Sequence, residues 1–91
     1  MSRGFHKKTP YKKDYMGKAV KLQGLKEVRL RKGYSQLKVA MDLSISREAL
    51  SYYETGKRSP DVQMLLLLSD YFGVSIDYLI RGHEFSLDDQ K

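Results

Sequence analysis

Residues 36–60, QLKVAMDLSISREALSYYETGKRSP, decide the fold of this chain. The stretch reads as two short helices at a steep angle, a tight turn between them, and a basic glycine-containing loop behind. Ser35 is placed to cap the first helix, whose inward stripe is Val39, Ala40 and Leu43. Residues 43–45 form the turn, and Ser46 caps the second helix. That second helix sets Ala49, Leu50 and Tyr53 on one face and Arg47, Glu48, Ser51 and Tyr52 on another. Ala40 falls where the two helices cross, and only a small side chain permits a close approach. The pattern alone also fits any αα-hairpin of a small bundle. The outward face separates the two readings: it is polar, planar and hydrogen-bonding, and it lies just ahead of a Gly-Lys-Arg loop.

These residues resemble the Cro/phage-repressor-type (XRE) helix-turn-helix proteins. The likeness runs from about residue 22 to residue 82 and rests on Leu25, Val28, Arg29, Ser35, Gln36, Ala40, Ser46, Leu50, Ser51, Tyr53, Glu54, Gly56 and Pro60. Residues 71–79, YFGVSIDYL, fit it equally well. Three positions depart from the family pattern. Ser44 stands where the family usually has glycine, which predicts a non-glycine residue at positive φ. Lys38 stands where an acidic residue is common, and Leu50 replaces the commoner isoleucine. The resemblance implies an all-α, lambda-repressor-like DNA-binding domain of five short helices.

Length and charge frame that expectation. Ninety-one residues allow one small domain, with a core near the lower limit for independent stability. There is no cysteine, so disulfides and cysteine-ligated metals are excluded, and a reducing cytoplasm fits. The longest apolar run, residues 64–68, is far too short to span a bilayer, and the charged N-terminus lacks the apolar stretch of a secretory signal. The net charge of +6 is localised: residues 1–21 hold seven Lys or Arg against Asp14 alone, and the rest of the chain is neutral. Within that neutral part, residues 22–60 carry eight basic and four acidic groups, while residues 61–91 carry two and six. The positive end and the basic half lie together, as expected for a polyanion partner.

Residues 1–15 read as a flexible basic N-terminal arm, residues 16–82 as the folded domain, and residues 83–91 as a polar tail carrying Phe85 and Leu87. The first helix is expected to begin between residues 16 and 21 and to end at Gly33. Ser59, Pro60 and Asp61 signal the start of the next helix, with Ser59 as the capping hydroxyl. That helix holds Leu65, Leu66, Leu67 and Leu68, and its apolar circumference places it at the centre of the bundle. A final short helix follows, capped by Ser75 and closed by Gly82.

The resemblance assigns functional positions. Arg47, Glu48, Ser51 and Tyr52 would face DNA bases in the major groove, where arginine pairs best with guanine and glutamate accepts from the cytosine amino group. Gln36, with its helix N-terminus, and Thr55, Lys57 and Arg58 behind the second helix would hold phosphates. Arg29 and Glu54 are charges on inward stripes, tolerable only as a pair, and the resemblance implies that they tie the first helix to the recognition helix. His6 and His83 lie at opposite ends without ligand spacing, there is no phosphate-cradling glycine loop, and the serines are explained as caps. No enzyme activity, metal or other cofactor is expected. The expected function is transcriptional repression by occlusion of a palindromic operator in double-stranded DNA, by a homodimer formed through Leu79, Ile80, Phe85 and Leu87. The competing readings are a protein-interaction module, such as an antitoxin or a partner-controlled regulator, and a coactivator-like bridge.

Overall fold

The computed structural model describes residues 18–84. The N-terminal arm read at residues 1–15, and the tail beyond residue 84, lie outside the described residues. Among the described residues five helices follow one another: α1 (Leu25–Arg31), α2 (Gln36–Leu43), α3 (Arg47–Thr55), α4 (Val62–Phe72) and α5 (Ile76–Arg81). The described residues contain no strand.

Hydrogen-bond chemistry at the helix ends explains where they fall. Ser35, Ser46, Asp61 and Ser75 each accept a backbone N–H three residues on, at 3.0, 2.9, 2.8 and 2.9 Å. Each cap satisfies one of the N–H groups that a helix cannot pair internally. Ser44 caps the C-terminal end of α2 in the left-handed region, at φ 58° and ψ 42°. It is the one positive-φ residue other than glycine among the described residues. The Ile45 N–H returns to the Ala40 carbonyl at 2.9 Å, which closes α2 and turns the chain into α3.

The N-terminal boundary differs from the sequence expectation. The first helix starts at Leu25, and residues 18–24 form a strap instead. The N–H of Leu22 reaches the Tyr53 carbonyl at 3.4 Å, that of Gln23 the Ile80 carbonyl at 3.2 Å, and that of Gly24 the Leu79 carbonyl at 2.9 Å. These acceptors lie in the last turns of α3 and α5, where carbonyls lack intrahelical partners. Tertiary bonding therefore takes donors that a longer α1 would have used. Gly24 allows the approach: a Cβ there would stand 2.3 Å from the Tyr78 carbonyl oxygen. Ser59 does not cap α4 as its local sequence suggested. Asp61 caps α4, while the Ser59 hydroxyl accepts the Val20 N–H at 2.6 Å and anchors the strap.

The core comprises Leu22, Leu25, Val28, Val39, Leu43, Leu50, Tyr53, Leu68, Phe72, Tyr78 and Leu79. Ala40 is buried at the packed side of α2. The expected central position of α4 is not observed. Only Leu68 and Phe72 of that helix are buried, whereas Leu66 is 52% and Leu67 42% exposed. Consecutive leucines advance about 100° each around a helix, so a helix with neighbours on one side cannot bury all four. Leu79 is fully buried among core residues, which removes it from any intermolecular contact.

A polar clasp joins α2 to α4. The Tyr71 hydroxyl donates to Asp42, which also accepts from Lys38 Nζ at 3.1 Å. Lys38 Nζ lies 4.9 Å from the centroid of the Tyr34 ring, and Tyr34 and Tyr71 pack with centroids 5.9 Å apart. The hydrogen bonds from Tyr71 and Lys38 hold the Asp42 carboxyl below its ordinary range. Desolvation, followed by the bond to Asp42, pushes the Tyr71 phenol up to about 12.

Two outcomes test these contacts. Ser44→Gly is expected to raise stability by about 0.5–1 kcal/mol, the left-handed cost less the extra unfolded-state entropy of glycine, as read by denaturant melts. The Tyr71 contribution is full below the ordinary phenol value near 10 and is lost as pH rises toward about 12. Tyr71→Phe should therefore flatten the fall in Tm across that interval relative to the parent chain.

Candidate nucleic-acid interface

Helix α3 is amphipathic in a way that fixes which side chains point outward. Leu50 and Tyr53 are buried, and Ala49 packs against the core from its edge. Arg47 and Glu48 are exposed in the first turn, and Ser51 and Tyr52 are half-buried one turn later. The four residues expected to face bases thus share one helix, with the first two the most open.

The phosphate candidates fall into two groups. Thr55, Lys57 and Arg58 gather at the C-terminal end of α3, close to Tyr52. The Tyr52 carbonyl accepts the N–H groups of Gly56, Lys57 and Arg58 at 2.9, 3.0 and 3.4 Å. Lys57 Nζ lies 5.5 Å, and Arg58 Cζ 5.7 Å, from the centroid of the Tyr52 ring. The Thr55 hydroxyl donates to the Ser51 carbonyl at 2.9 Å, so its proton is already engaged. Gln36 belongs to the second group, at the first turn of α2. Its amide donates to Glu54 at 3.0 Å, which uses one of its two hydrogens.

Glu54 is the acceptor that ties these elements together. Arg29 Nε donates to one carboxylate oxygen at 2.6 Å and Arg29 Nη2 to the other at 3.1 Å, a bidentate pair. The remaining guanidinium nitrogen, Nη1, donates to the Tyr34 carbonyl at 2.9 Å. The two side chains are 7% and 2% exposed. One arginine and one glutamate thereby connect α1, the α1–α2 loop, the start of α2 and the last turn of α3. Charged groups this deep are tolerated because the planar fork of arginine matches a carboxylate and the spare hydrogen-bonding capacity is used.

Sequence reasoning missed the part played by the strap. Lys21 sits against the loop behind α3: a Cβ added to Gly56 would lie 3.0 Å from the Lys21 Cβ. Lys21 is exposed, and the strap adds its charge beside the loop that carries Lys57 and Arg58. Gly24 inside an otherwise helical pattern was the available signal. Among the described residues, no three His, Cys, Asp or Glu side chains cluster to hold a metal ion, and no helix is long and apolar enough to cross a membrane.

This geometry defines a helix-turn-helix unit, α2–turn–α3, within a five-helix domain. Residues 25–79 match the helix-turn-helix family, and the chain belongs to it. It is 45% identical over 67 residues to the SPbeta prophage-derived uncharacterized HTH-type transcriptional regulator YonR of Bacillus subtilis (strain 168), across 71% of this chain and 62% of that protein. It is 45% identical over 62 residues to the HTH-type transcriptional regulator ImmR of the same organism, across 68% of this chain and 49% of that one. A solved structure of a transcriptional regulator from Listeria innocua superposes with a TM-score of 0.59 at 28% identity, covering 70% of this chain and 59% of its own. The chain thus spans roughly half to three-fifths of the length of these curated relatives.

Breaking the buried pair leaves an uncompensated charge. Glu54→Ala is expected to lower stability by about 3–5 kcal/mol. The Arg29→Ala/Glu54→Ala double variant should lose clearly less than the sum of the single losses. Denaturant melts of the three variants check both statements, and additive losses would mean that the two residues act separately.

Proposed function

We propose that this chain is a sequence-specific DNA-binding transcriptional regulator, acting in the cytoplasm as a repressor by operator occlusion. The observation that carries the reading is the outward face of α3. Arg47 and Glu48 stand exposed on its capped first turn, while Leu50, Tyr53 and Glu54 of the same helix are held in the core. A helix of that diameter fits the major groove of B-DNA, and its first-turn side chains reach base edges. Arg47, Glu48 and Ser51 are the readers in this proposal, with Tyr52 at the far edge of their face. Lys57 and Arg58 grip phosphates on one flank, and Gln36 offers its free amide hydrogen on the other. Thr55 reaches a phosphate only by giving up its bond to Ser51. The relatives bear the names of transcriptional regulators, which supports a regulatory role in place of catalysis.

One helix-turn-helix unit reads only a few base pairs, so a homodimer on a palindromic operator is part of the proposal, with half-sites about 34 Å apart. Ile80, half-buried on α5, remains available to such a contact, unlike Leu79. Occlusion is steric: a dimer seated across a promoter occupies the groove that a polymerase needs.

The test is binding to duplexes selected from a random pool, followed by single-base variants of the preferred site. Arg47→Ala should relax preference at one base position per half-site, by about 1–3 kcal/mol, with the fold intact. Lys57→Ala should weaken all duplexes about equally and lower the salt slope by about one unit. An unchanged preference profile in Arg47→Ala would show that α3 is not the reader.

A further inference from the structure

Tyr52 occupies a position on α3 from which a side chain could read a base, yet its ring is already engaged. Lys57 Nζ and Arg58 Cζ stand 5.5 and 5.7 Å from its centroid, both within the range at which a cation is attracted to the face of an aromatic ring. The backbone of the same residue organises the same loop, because its carbonyl accepts the N–H groups of residues 56, 57 and 58. Gly56, at φ 88°, supplies the left-handed turn after which the chain returns to the Tyr52 carbonyl. On the far side the loop is held by the strap: Lys21 packs beside Gly56, and Ser59 accepts the Val20 N–H. Lys57 and Arg58 therefore extend from a loop fixed on both sides, with their cationic ends set over one tyrosine ring.

We infer that Tyr52 is a positioning residue, an aromatic platform that presets Lys57 and Arg58 for the DNA backbone, and not a reader of base sequence. The inference rests on the DNA-binding reading above and assigns this residue a different task within it. Lysine and arginine side chains lose substantial rotamer freedom when a phosphate immobilises them. A ring that already gathers their charged ends removes part of that cost before DNA arrives. The attraction belongs to the ring quadrupole, so the phenol hydroxyl is dispensable and an aromatic ring is required. The backbone bonds to the Tyr52 carbonyl survive any substitution, so the path of the loop is retained when the ring is removed.

The test compares Tyr52→Phe, Tyr52→Ala and the parent chain on a selected duplex, its single-base variants and an unrelated duplex, across a salt series. Tyr52→Phe is expected to match the parent in affinity and in base preference. Tyr52→Ala should bind every duplex about five- to tenfold more weakly, with an unaltered preference profile, the size expected from two partly exposed cation–ring contacts. In a Lys57→Ala/Arg58→Ala background the same Tyr52→Ala change should cost nothing further, an outcome that a merely structural role for the ring would not produce. In the free protein, the Lys57 and Arg58 side-chain protons should show upfield ring-current shifts that persist in Tyr52→Phe and vanish in Tyr52→Ala. A changed base preference in Tyr52→Phe, full affinity in Tyr52→Ala, or an equal loss in the double-alanine background overturns the inference while leaving the DNA-binding reading in place. Failure of the parent chain to bind any duplex overturns that reading and the inference with it.

Discussion

The bidentate pair between Arg29 and Glu54 is the constraint on which the placement of α3 depends. Two charges withdrawn from water lose several kcal/mol of hydration each, and their mutual attraction offsets this only when the geometry is good and the remaining lone pairs and protons are used. Both conditions hold here. Glu54 receives three donors, two from Arg29 and one from Gln36, while the third donating nitrogen of Arg29 is taken by the Tyr34 carbonyl. An apolar pair would bury as well, but it would tolerate sliding. A forked ion pair does not, so the last turn of α3 is fixed in rotation as well as in position against α1. The direction of Arg47 and Glu48 follows from that rotation.

The unpaired backbone groups at helix ends organise the remainder. Four helices begin with a side-chain cap, and α1, which has none, begins where its neighbours' ends require it. The strap ahead of α1 donates to carbonyls in the last turns of α3 and α5, so the N-terminal entry to the domain is bonded to both helices at once. This brings exposed Lys21 against the loop that carries Lys57 and Arg58. A small core needs such bonding. With helices of six to eleven residues, each element is too short to be stable alone, and packing with end-pairing holds them together.

Much of this was legible in local pattern. Ser35, Ser46 and Ser75 as caps, Gly82 as a closure, and the inward stripes of α2 and α3 depend on residues within one or two turns of each other. Their chemistry is the same in any tertiary setting. The opposed inward charges of Arg29 and Glu54 were visible for a related reason: each sits on a stripe that must be buried, and a buried charge needs a partner of opposite sign.

Other features required the assembled molecule. The start of α1 turned on acceptor carbonyls of residues about thirty and fifty-five positions away, and periodicity carries no information about partners that distant. Ser59 looked like a cap because its local setting suits one, but the strap claimed its hydroxyl and Asp61 took over. Four consecutive leucines signalled a central helix, yet burial depends on how many neighbours a helix has, and α4 lies at the edge. The Tyr52 ring under two cations could not be read from spacing alone, since it needs the loop to fold back at Gly56. The sequence by itself determined the succession of helices, the serine caps of α2, α3 and α5, and the face that α3 turns outward, because those are short-range properties of the backbone and of apolar periodicity. Only the tertiary structure decided which hydroxyl, carbonyl and ring were still free to act, because each can be claimed by a residue far along the chain.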